Sequence, residues 1–187
     1  MSHLESERAR PVLEKVIRDG RPVLFPPEDV KSVAAFAFKN TIVSSHLDRN
    51  SEPFFSASIR TRFRECLEIP FGVQMWIASY GGPHFIGDFN GYVFDADIPS
   101  IAEAEFYSFT YVTGYLVLQV LAPRWRRMVG ENKSLPVLTP DPIWRSAVTR
   151  FWPNFGQSIP WPPELDLSEE SLEKFSDRWK QPIIYEV

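Results

Sequence analysis

The chain has 187 residues, a formal net charge of −4 and an isoelectric point near 5.5, and this balance argues against a protein that coats nucleic acid by bulk electrostatics. Hydrophobic residues make up 44% of the chain, enough to bury a sizeable core, so we expect a single domain. One cysteine and three histidines exclude an internal disulfide and argue against a four-ligand structural zinc site.

The sequence shows no segment that would target the protein to a membrane. Its first residues are charged, and no run reaches the roughly 20 apolar residues that cross a bilayer. A single cysteine suits a reducing compartment, so we expect a cytoplasmic protein with no membrane partner. The common nucleotide-binding and hydrolase motifs are missing as well, and we expect no cofactor.

The N-terminal residues predict short helices. Ser2 and Glu5 form a capping box for a first helix, which Pro11 either kinks or follows with a second one. Gly20 suits a left-handed helix cap, and residues 21–25 should be extended because two prolines follow them.

Residues 26–49 predict the long central helix around which the chain is organised. Pro26 and Pro27 suit a first turn, and acidic residues follow them at the positive end of the helix dipole. Apolar residues fill most of the circumference, which indicates packing on several sides. One polar stripe interrupts them, formed at helical spacing by Glu28, Ser32, Lys39 and His46.

Two interpretations of this stripe remain open. In the first it is the solvent edge of the helix, with the stem of Lys39 covering apolar neighbours. In the second it lines a cleft, where burial would lower the pKa of Lys39. Lys39 and His46, two turns apart, could then bind an anion or act as acid and base, and they are the catalytic candidates of the sequence.

A further helix is predicted from a cap at Ser56 to about Leu67. Its apolar stripe consists of Ile59, Phe63, Cys66 and Leu67, so we expect Cys66 to lie in the core and not to act as a nucleophile. Its other faces carry Arg60, Arg62 and Arg64. These arginines either form a solvated, ion-paired surface or contact phosphates.

The middle of the chain predicts a sheet. Residues 73–80, 84–95 and 103–121 are rich in β-branched and aromatic residues. Asn90-Gly91 predicts a type I′ hairpin turn, Thr113-Gly114 predicts a second hairpin, and residues 115–121 predict an inner strand. The result is an α+β domain, an antiparallel meander of four or five strands with helices packed on one face.

Prolines and tryptophans after residue 123 predict an irregular strap laid across the domain, held by the buried indoles of Trp144, Trp152 and Trp161. Ser168 can cap a final helix. The single domain 1–187 thus divides into a helical part (about 1–68), a sheet (about 71–122) and a strap with the C-terminal helix (123–187).

One group of candidate metal ligands surrounds the predicted Asn90-Gly91 turn: His84, Asp88, Asp95 and Asp97. His84 with Asp88, and Asp95 with Asp97, would each share a strand face, and the hairpin could bring the pairs together as metal ligands or as acid and base. Alternatively, polar residues collect there because turns are wet.

A second group, at a predicted strand exit, combines basic and aromatic residues: Arg124, Trp125, Arg126 and Arg127. The indole could stack on a base while the arginines pair with phosphates, as in proteins that bind single strands. Alternatively, the indole is buried under the strap and the arginines cover acidic neighbours.

Several stretches together resemble an uncharacterised family of bacterial proteins. They include the opening Met-Ser-x-Leu-Glu, the Ala-Phe-Ala-Phe-Lys-Asn-Thr of the central helix, the strand Val-Gln-Met-Trp-Ile-Ala-Ser-Tyr and the late Trp-Pro-Pro-x-Leu-Asp. Longer members carry an N-terminal, cysteine-rich zinc segment of HNH-nuclease type, which this sequence lacks. The resemblance implies that any nuclease chemistry would belong to that segment, and that the chain is a natural short form or the C-terminal part of a longer protein.

These observations lead to one preferred function and two alternatives. We prefer an accessory or recognition domain for nucleic-acid-directed activity, with contacts from Lys39, His46, Arg124, Arg126 and Arg127. The first alternative is a metal-dependent hydrolase that uses the histidine and aspartates near the predicted turn. The second is a structural protein that forms homo-oligomers through exposed apolar surface.

Overall fold

The computed structural model describes residues 9–47, 52–82, 88–98, 102–128, 144–154 and 156–180. The helices are α1 (Arg10–Asp19), α2 (Pro27–Ser44), α3 (Ala57–Cys66) and α4 (Glu169–Ser176), followed by a short 3-10 helix (Arg178–Lys180). The strands are β1 (Val23–Phe25), β2 (Gln74–Ser79), β3 (Asp88–Ile98), β4 (Ala102–Thr113), β5 (Leu116–Met128), β6 (Val148–Trp152) and β7 (Ile159–Trp161).

Five strands form the main sheet in the order β3-β4-β5-β2-β6, and every neighbouring pair is antiparallel. The predicted α+β class with an antiparallel sheet is therefore confirmed. The meander covers β3 to β5 alone, because β2 pairs with β5 and not with β3. The strap is less irregular than expected, since it supplies β6 to the sheet and β7 to a pair with β1.

The predicted inner strand is β5. Residues 116–121 are all buried, and β4 and β2 flank them on either side. The hairpin that precedes this strand turns at Gly114, whose φ of 54° lies in the left-handed region, as the Thr113-Gly114 pattern predicts. β5 extends to Met128, so the sheet does not end near residue 122.

Each face of the sheet has its own core. We call the side covered by α1, α2 and α3 the helical face; Met75 and Ile77 point to it. We call the side covered by α4 and the 3-10 helix the C-terminal face; Trp76 and Ala78 point to it. Side chains alternate along a strand, so neighbouring residues of β2 reach different cores. The three N-terminal helices cover one of these cores, and the final helix covers the other.

The predicted helix ends agree with the structure where it describes them, except at the C-terminus of α2, which ends at Ser44 and not near residue 49, so that His46 lies in the turn that follows. Ser56 and Ser168 cap α3 and α4 by accepting hydrogen bonds from the backbone N–H groups of Ile59 and Ser171. Gly20 ends α1 with a φ of 62°. The capping box at Ser2 lies outside the described residues.

α2 is continuous and packs on two sides. Eight of its residues are fully buried, among them Val33, Phe38 and Thr41. The sheet covers this surface, and α3 adds Phe63, whose ring lies 5.1 Å from that of Phe38. The remaining edge is open, because Val43 is 48% exposed.

The Asn90-Gly91 pair does not form a turn, so that prediction is wrong. Both residues lie inside β3, opposite Thr110 and Phe109 of β4. A glycine is needed here because an added Cβ would lie 2.4 Å from the Tyr107 hydroxyl oxygen. Close approach of a neighbouring group is a common reason for glycine within a strand.

This contact makes Gly91→Ala a destabilising change. We expect a loss of about 2 kcal/mol, since overpacking a closed site typically costs 1–3 kcal/mol. Tyr107 cannot move freely, because it is buried and its hydroxyl lies 2.9 Å from the Ser44 hydroxyl. Urea unfolding of Gly91→Ala, Tyr107→Phe and the double variant measures the effect, and the double variant should lose clearly less than the sum of the two. Strict additivity would show that the hydroxyl is not the obstacle.

Cys66 is exposed, so the prediction that it lies in the core is wrong. Of the predicted α3 stripe, Phe63 is fully buried, whereas Ile59 and Leu67 are partly buried. Cys66 lies about 60° around the helix from Phe63. Leu67 then turns the chain away with a φ of 55°, which leaves the Cys66 thiol at the surface.

In the part of the chain that the structure describes, no helix has the length and apolar character required to cross a membrane.

Candidate functional site: a cationic groove between two helices

A surface groove runs between α2 and α3, near the C-terminal end of α2. It encloses about 290 Å³. Three basic side chains line it, with apolar and small residues between them. We call it the cationic groove, and its lining is Lys39, Ile42, Val43, Ala57, Arg60, Thr61, Phe63 and Arg64.

Helix geometry explains why these basic residues meet. Arg60 and Arg64 are four residues apart on α3, so they share one side of that helix. Arg62 lies about 200° around the helix from Arg60 and does not line the groove. Lys39 comes from the polar stripe of α2. At this residue the stripe lines a groove, as in the second of the two interpretations above.

Arg60 is held in place by His46, the other catalytic candidate from the polar stripe. Its Nη1 atom lies 3.1 Å from His46 Nε2. Because a guanidinium only donates, the imidazole nitrogen is the acceptor of this contact. Arg60 Nε is buried, and no acceptor for it exists among the described residues. A buried donor without an acceptor costs free energy, so this atom would gain from a bound oxygen.

The groove has a positive lining. Among the described residues that line it, three are cations and none carries a carboxylate. Glu65 lies 3.9 Å from Arg64, but both side chains are more than 60% exposed, so this pair contributes little. Burial lowers the pKa of Lys39, which is what a cation at a partly closed groove is expected to show.

The other half of the polar stripe lies in a different environment. Glu28 and Ser32 line a second groove, of about 760 Å³, together with Asp29, Cys66 and Trp152. The pKa of Asp29 is raised, first by burial and then by the charge of Glu28. The described lining between α2 and α3 therefore has two carboxylates and one lysine, Lys31, at one end and three cations at the other, a difference that the pattern of the stripe does not reveal.

The basic aromatic cluster of β5 is divided by the alternation of the strand. Arg124 pairs with Glu105 at 2.8 Å, and Arg126 pairs with Asp95 at 3.0 Å. Trp125 points to the opposite face, where its ring packs edge-on against Phe106. The ion pairs of Arg124 and Arg126 agree with the alternative interpretation, in which the arginines cover acidic neighbours.

Arg124 is fixed further by its surroundings. Its guanidinium donates to the Phe54 and Pro53 carbonyl oxygens and lies 4.4 Å from the centroid of the Phe54 ring. These contacts leave it poorly placed to serve as a mobile phosphate ligand. The side chain of Arg127 lies outside the described residues.

The predicted metal cluster does not assemble. Asp88 and Asp97 belong to one continuous strand, opposite Val112 and Glu103 at the two ends of β4. At about 3.3 Å per residue they are roughly 30 Å apart, because the turn that would join them does not exist. His84 and the side chains of Asp88 and Asp97 are outside the described residues. Within the described part, no group of three or more His, Cys, Asp or Glu residues could hold a metal ion.

Comparison with known proteins identifies no matching family model, no matching curated protein and no matching solved structure. The arrangement of the side chains is therefore what argues for a function.

Proposed function

We propose that this domain is a recognition module that binds the phosphate backbone of single-stranded nucleic acid in the cationic groove. The observation that carries the proposal is the convergence of Lys39, Arg60 and Arg64 on one groove whose described lining residues include no carboxylate. Arginine forks pair well with phosphate oxygens, and charge-assisted hydrogen bonds are the stronger ones.

The mixed lining of the groove favours a single strand. Ile42, Val43 and Phe63 form an apolar wall beside the cations, and Leu47, 56% exposed, follows shortly after the end of α2. An unpaired nucleotide can place its phosphate on the cations and its sugar or base on the apolar wall, as single-strand binders do. A stacked duplex cannot present a base to the wall of a groove this small.

The expected affinity is modest. Three cations against a net charge of −4 place the complex near the weak end of non-specific binding, with a Kd of about 10⁻⁴ M. For three phosphate contacts on a single strand, the logarithm of the association constant should fall with the logarithm of salt with a slope of about −2. Weak, salt-sensitive binding suits an accessory domain that positions a strand for a partner activity in the cytoplasm.

Fluorescence anisotropy with a labelled oligothymidine at low salt tests this proposal. Lys39→Met and Arg60→Met should each weaken binding by about tenfold, the expected effect of losing one charge-assisted contact. Arg62→Met is the matched control. It removes the same charge from the same helix, but Arg62 pairs with Glu68 at 3.6 Å and lies outside the groove, so its effect should stay below twofold.

The Arg62→Met control also shows whether binding depends on the groove or only on the overall charge of the protein. Equal losses for Arg60→Met and Arg62→Met would mean that the strand follows overall charge and that the groove is not the site. Failure of the wild-type protein to bind at low salt would remove the proposed function.

A further inference from the structure

A row of five side chains crosses the C-terminal face of the sheet, one from each strand. Directly opposed residues on neighbouring strands share a face, and the register places them side by side in this order: Arg150, Trp76, Gln119, Thr110 and Asn90. The three middle residues of the row, Trp76, Gln119 and Thr110, are buried, and their polar groups need partners because unsatisfied polar groups are costly in a buried position.

At one end of the row, Gln119, Thr110 and Asn90 form hydrogen bonds with one another or with the C-terminal segment. The Gln119 amide donates to Thr110 and to the Phe175 carbonyl oxygen. Its oxygen accepts from Arg178 Nε at 2.8 Å and from Trp179 Nε1 at 3.2 Å. These bonds fix the 3-10 helix against the sheet.

At the other end of the row, Arg150 and Trp76, together with the adjacent Arg178, carry donors that have no acceptor among the described residues. The Arg178 guanidinium lies 4.4–4.5 Å from the ring centroids of Trp76, Phe175 and Trp179. Although Arg178 as a whole is partly accessible, both its Nη atoms are buried and find no acceptor in the part of the chain described. Burial lowers the pKa of Arg178 to about 9, which still leaves it charged at neutral pH.

Two further donors near Arg178 are also buried without an acceptor in the described part of the chain. Trp76 Nε1 and Arg150 Nη1 are buried and have no acceptor among the described residues. Trp76 is the cross-strand neighbour of Arg150 and carries Arg178 on its ring. The indole of Trp76 and its two neighbours, Arg150 across the strand and Arg178 on its ring, thus carry four buried nitrogens that are all donors, and two of these three side chains are cations. Water could accept hydrogen bonds there but could not balance the charge.

We propose that Arg150, Trp76 and Arg178 form a binding site for a small phosphate-type dianion on the C-terminal face of the sheet. Two guanidinium groups match a dianion in charge and offer fork geometry to its oxygens, and the indole N–H supplies a neutral donor. Inorganic phosphate is the smallest ligand of this class. The site lies on the opposite face from the cationic groove, so the two can be tested separately.

Thermal unfolding with inorganic phosphate is the first test, with sodium chloride at matched ionic strength as the reference. At a hundredfold excess over Kd, the melting temperature of the wild-type protein should rise by about 5 °C or more. Arg150→Met should fold normally, since it removes a buried cation without an acceptor, and should lose the phosphate-dependent rise. Arg126→Met, an arginine ion-paired on the other face of the sheet, should keep it.

Calorimetric titration of the folded variants then measures affinity for phosphate directly. Trp76→Phe keeps a smaller aromatic ring at this position and removes the indole N–H, and it should weaken binding about tenfold. Arg60→Met, in the cationic groove, should leave phosphate binding unchanged.

The outcomes separate the possible sources of an effect. A rise that persists in Arg150→Met would reflect general salt stabilisation and would overturn the proposal, as would the absence of heat with phosphate. A response to acetate that exceeds the response to phosphate would overturn the assignment of a dianion, and a larger response to the dianion succinate would overturn the assignment of a phosphate-type ligand. Loss of phosphate binding in Arg60→Met, with Arg150→Met unaffected, would move the site to the groove.

Discussion

Gln119→Leu should destabilise the domain by about 4 kcal/mol. Gln119 is completely buried and links β5 to β4 and to the C-terminal segment through its donor and acceptor atoms. Leucine fills a similar volume but leaves Arg178 Nε and Trp179 Nε1 without their acceptor. Breaking a buried, charged hydrogen-bond network by removing one partner typically costs 3–5 kcal/mol.

Urea unfolding and hydrogen exchange measure this effect. The melting temperature should fall by about 10 °C, and the amides of α4 (Glu169–Ser176) should exchange faster than those of β5. Gln119→Glu is the matched control, because its carboxylate still accepts from Arg178 but cannot donate to Thr110 or to the Phe175 carbonyl oxygen. We expect it to lose less stability than Gln119→Leu. A loss of under 1 kcal/mol in Gln119→Leu would show that the C-terminal segment is held by apolar packing alone.

Gly114→Ala should cost about 3 kcal/mol. Gly114 has a φ of 54°, where a side chain costs about 1 kcal/mol. An added Cβ would lie 1.9 Å from the Ile17 carbonyl oxygen, which belongs to the backbone and cannot rotate away. To relieve this overlap the hairpin must withdraw from α1, and the bond from the Tyr115 N–H to that same oxygen is then lost.

Gly156→Ala separates backbone strain from this overlap. Gly156 also has a positive φ, 88°, but nothing lies within 4 Å of a Cβ added there. It should therefore lose about 1 kcal/mol, from strain alone. Chemical denaturation of both variants compares them. If the two losses are equal, the contact between α1 and the β4–β5 turn does not constrain the fold.

Local signals in the sequence predict most of the helix ends and the Gly114 turn because short-range physics decides them. A serine before a helix, a proline in its first turn and a glycine after it satisfy or exploit the terminal backbone groups without help from tertiary structure. Ser56, Ser168, Gly20 and Gly114 all act as their local sequence predicts.

Asn90-Gly91 shows where such signals fail. The dipeptide favours a turn by itself, but both positions have stronger tertiary roles. Gly91 leaves room for the Tyr107 hydroxyl, and Asn90 donates to Ser176 and Asp177. Nothing within the neighbouring sequence indicates these contacts, because the partners lie as far as 87 residues away. The predicted metal cluster depended on this turn and fails with it.

The sequence predicts part of the candidate site. The polar stripe identified Lys39 and His46, and the four-residue spacing of Arg60 and Arg64 was available as a signal of a shared helix side. Their meeting in one groove depends on how α3 crosses α2, which is set by the packing of Phe63 on Phe38 and not by local pattern. The row on the C-terminal face depends on strand order, and β2 pairs with a strand that begins more than 35 residues later.

A two-dimensional NMR titration with unlabelled oligothymidine at low salt tests the proposed recognition function most directly. The account predicts that the largest amide shifts fall on the cationic groove, at Lys39, Val43, Arg60 and Arg64, and that they diminish together as salt rises. Shifts centred on Arg124 and Arg126, with the groove amides unchanged, or an unaltered spectrum at the lowest salt, would contradict it.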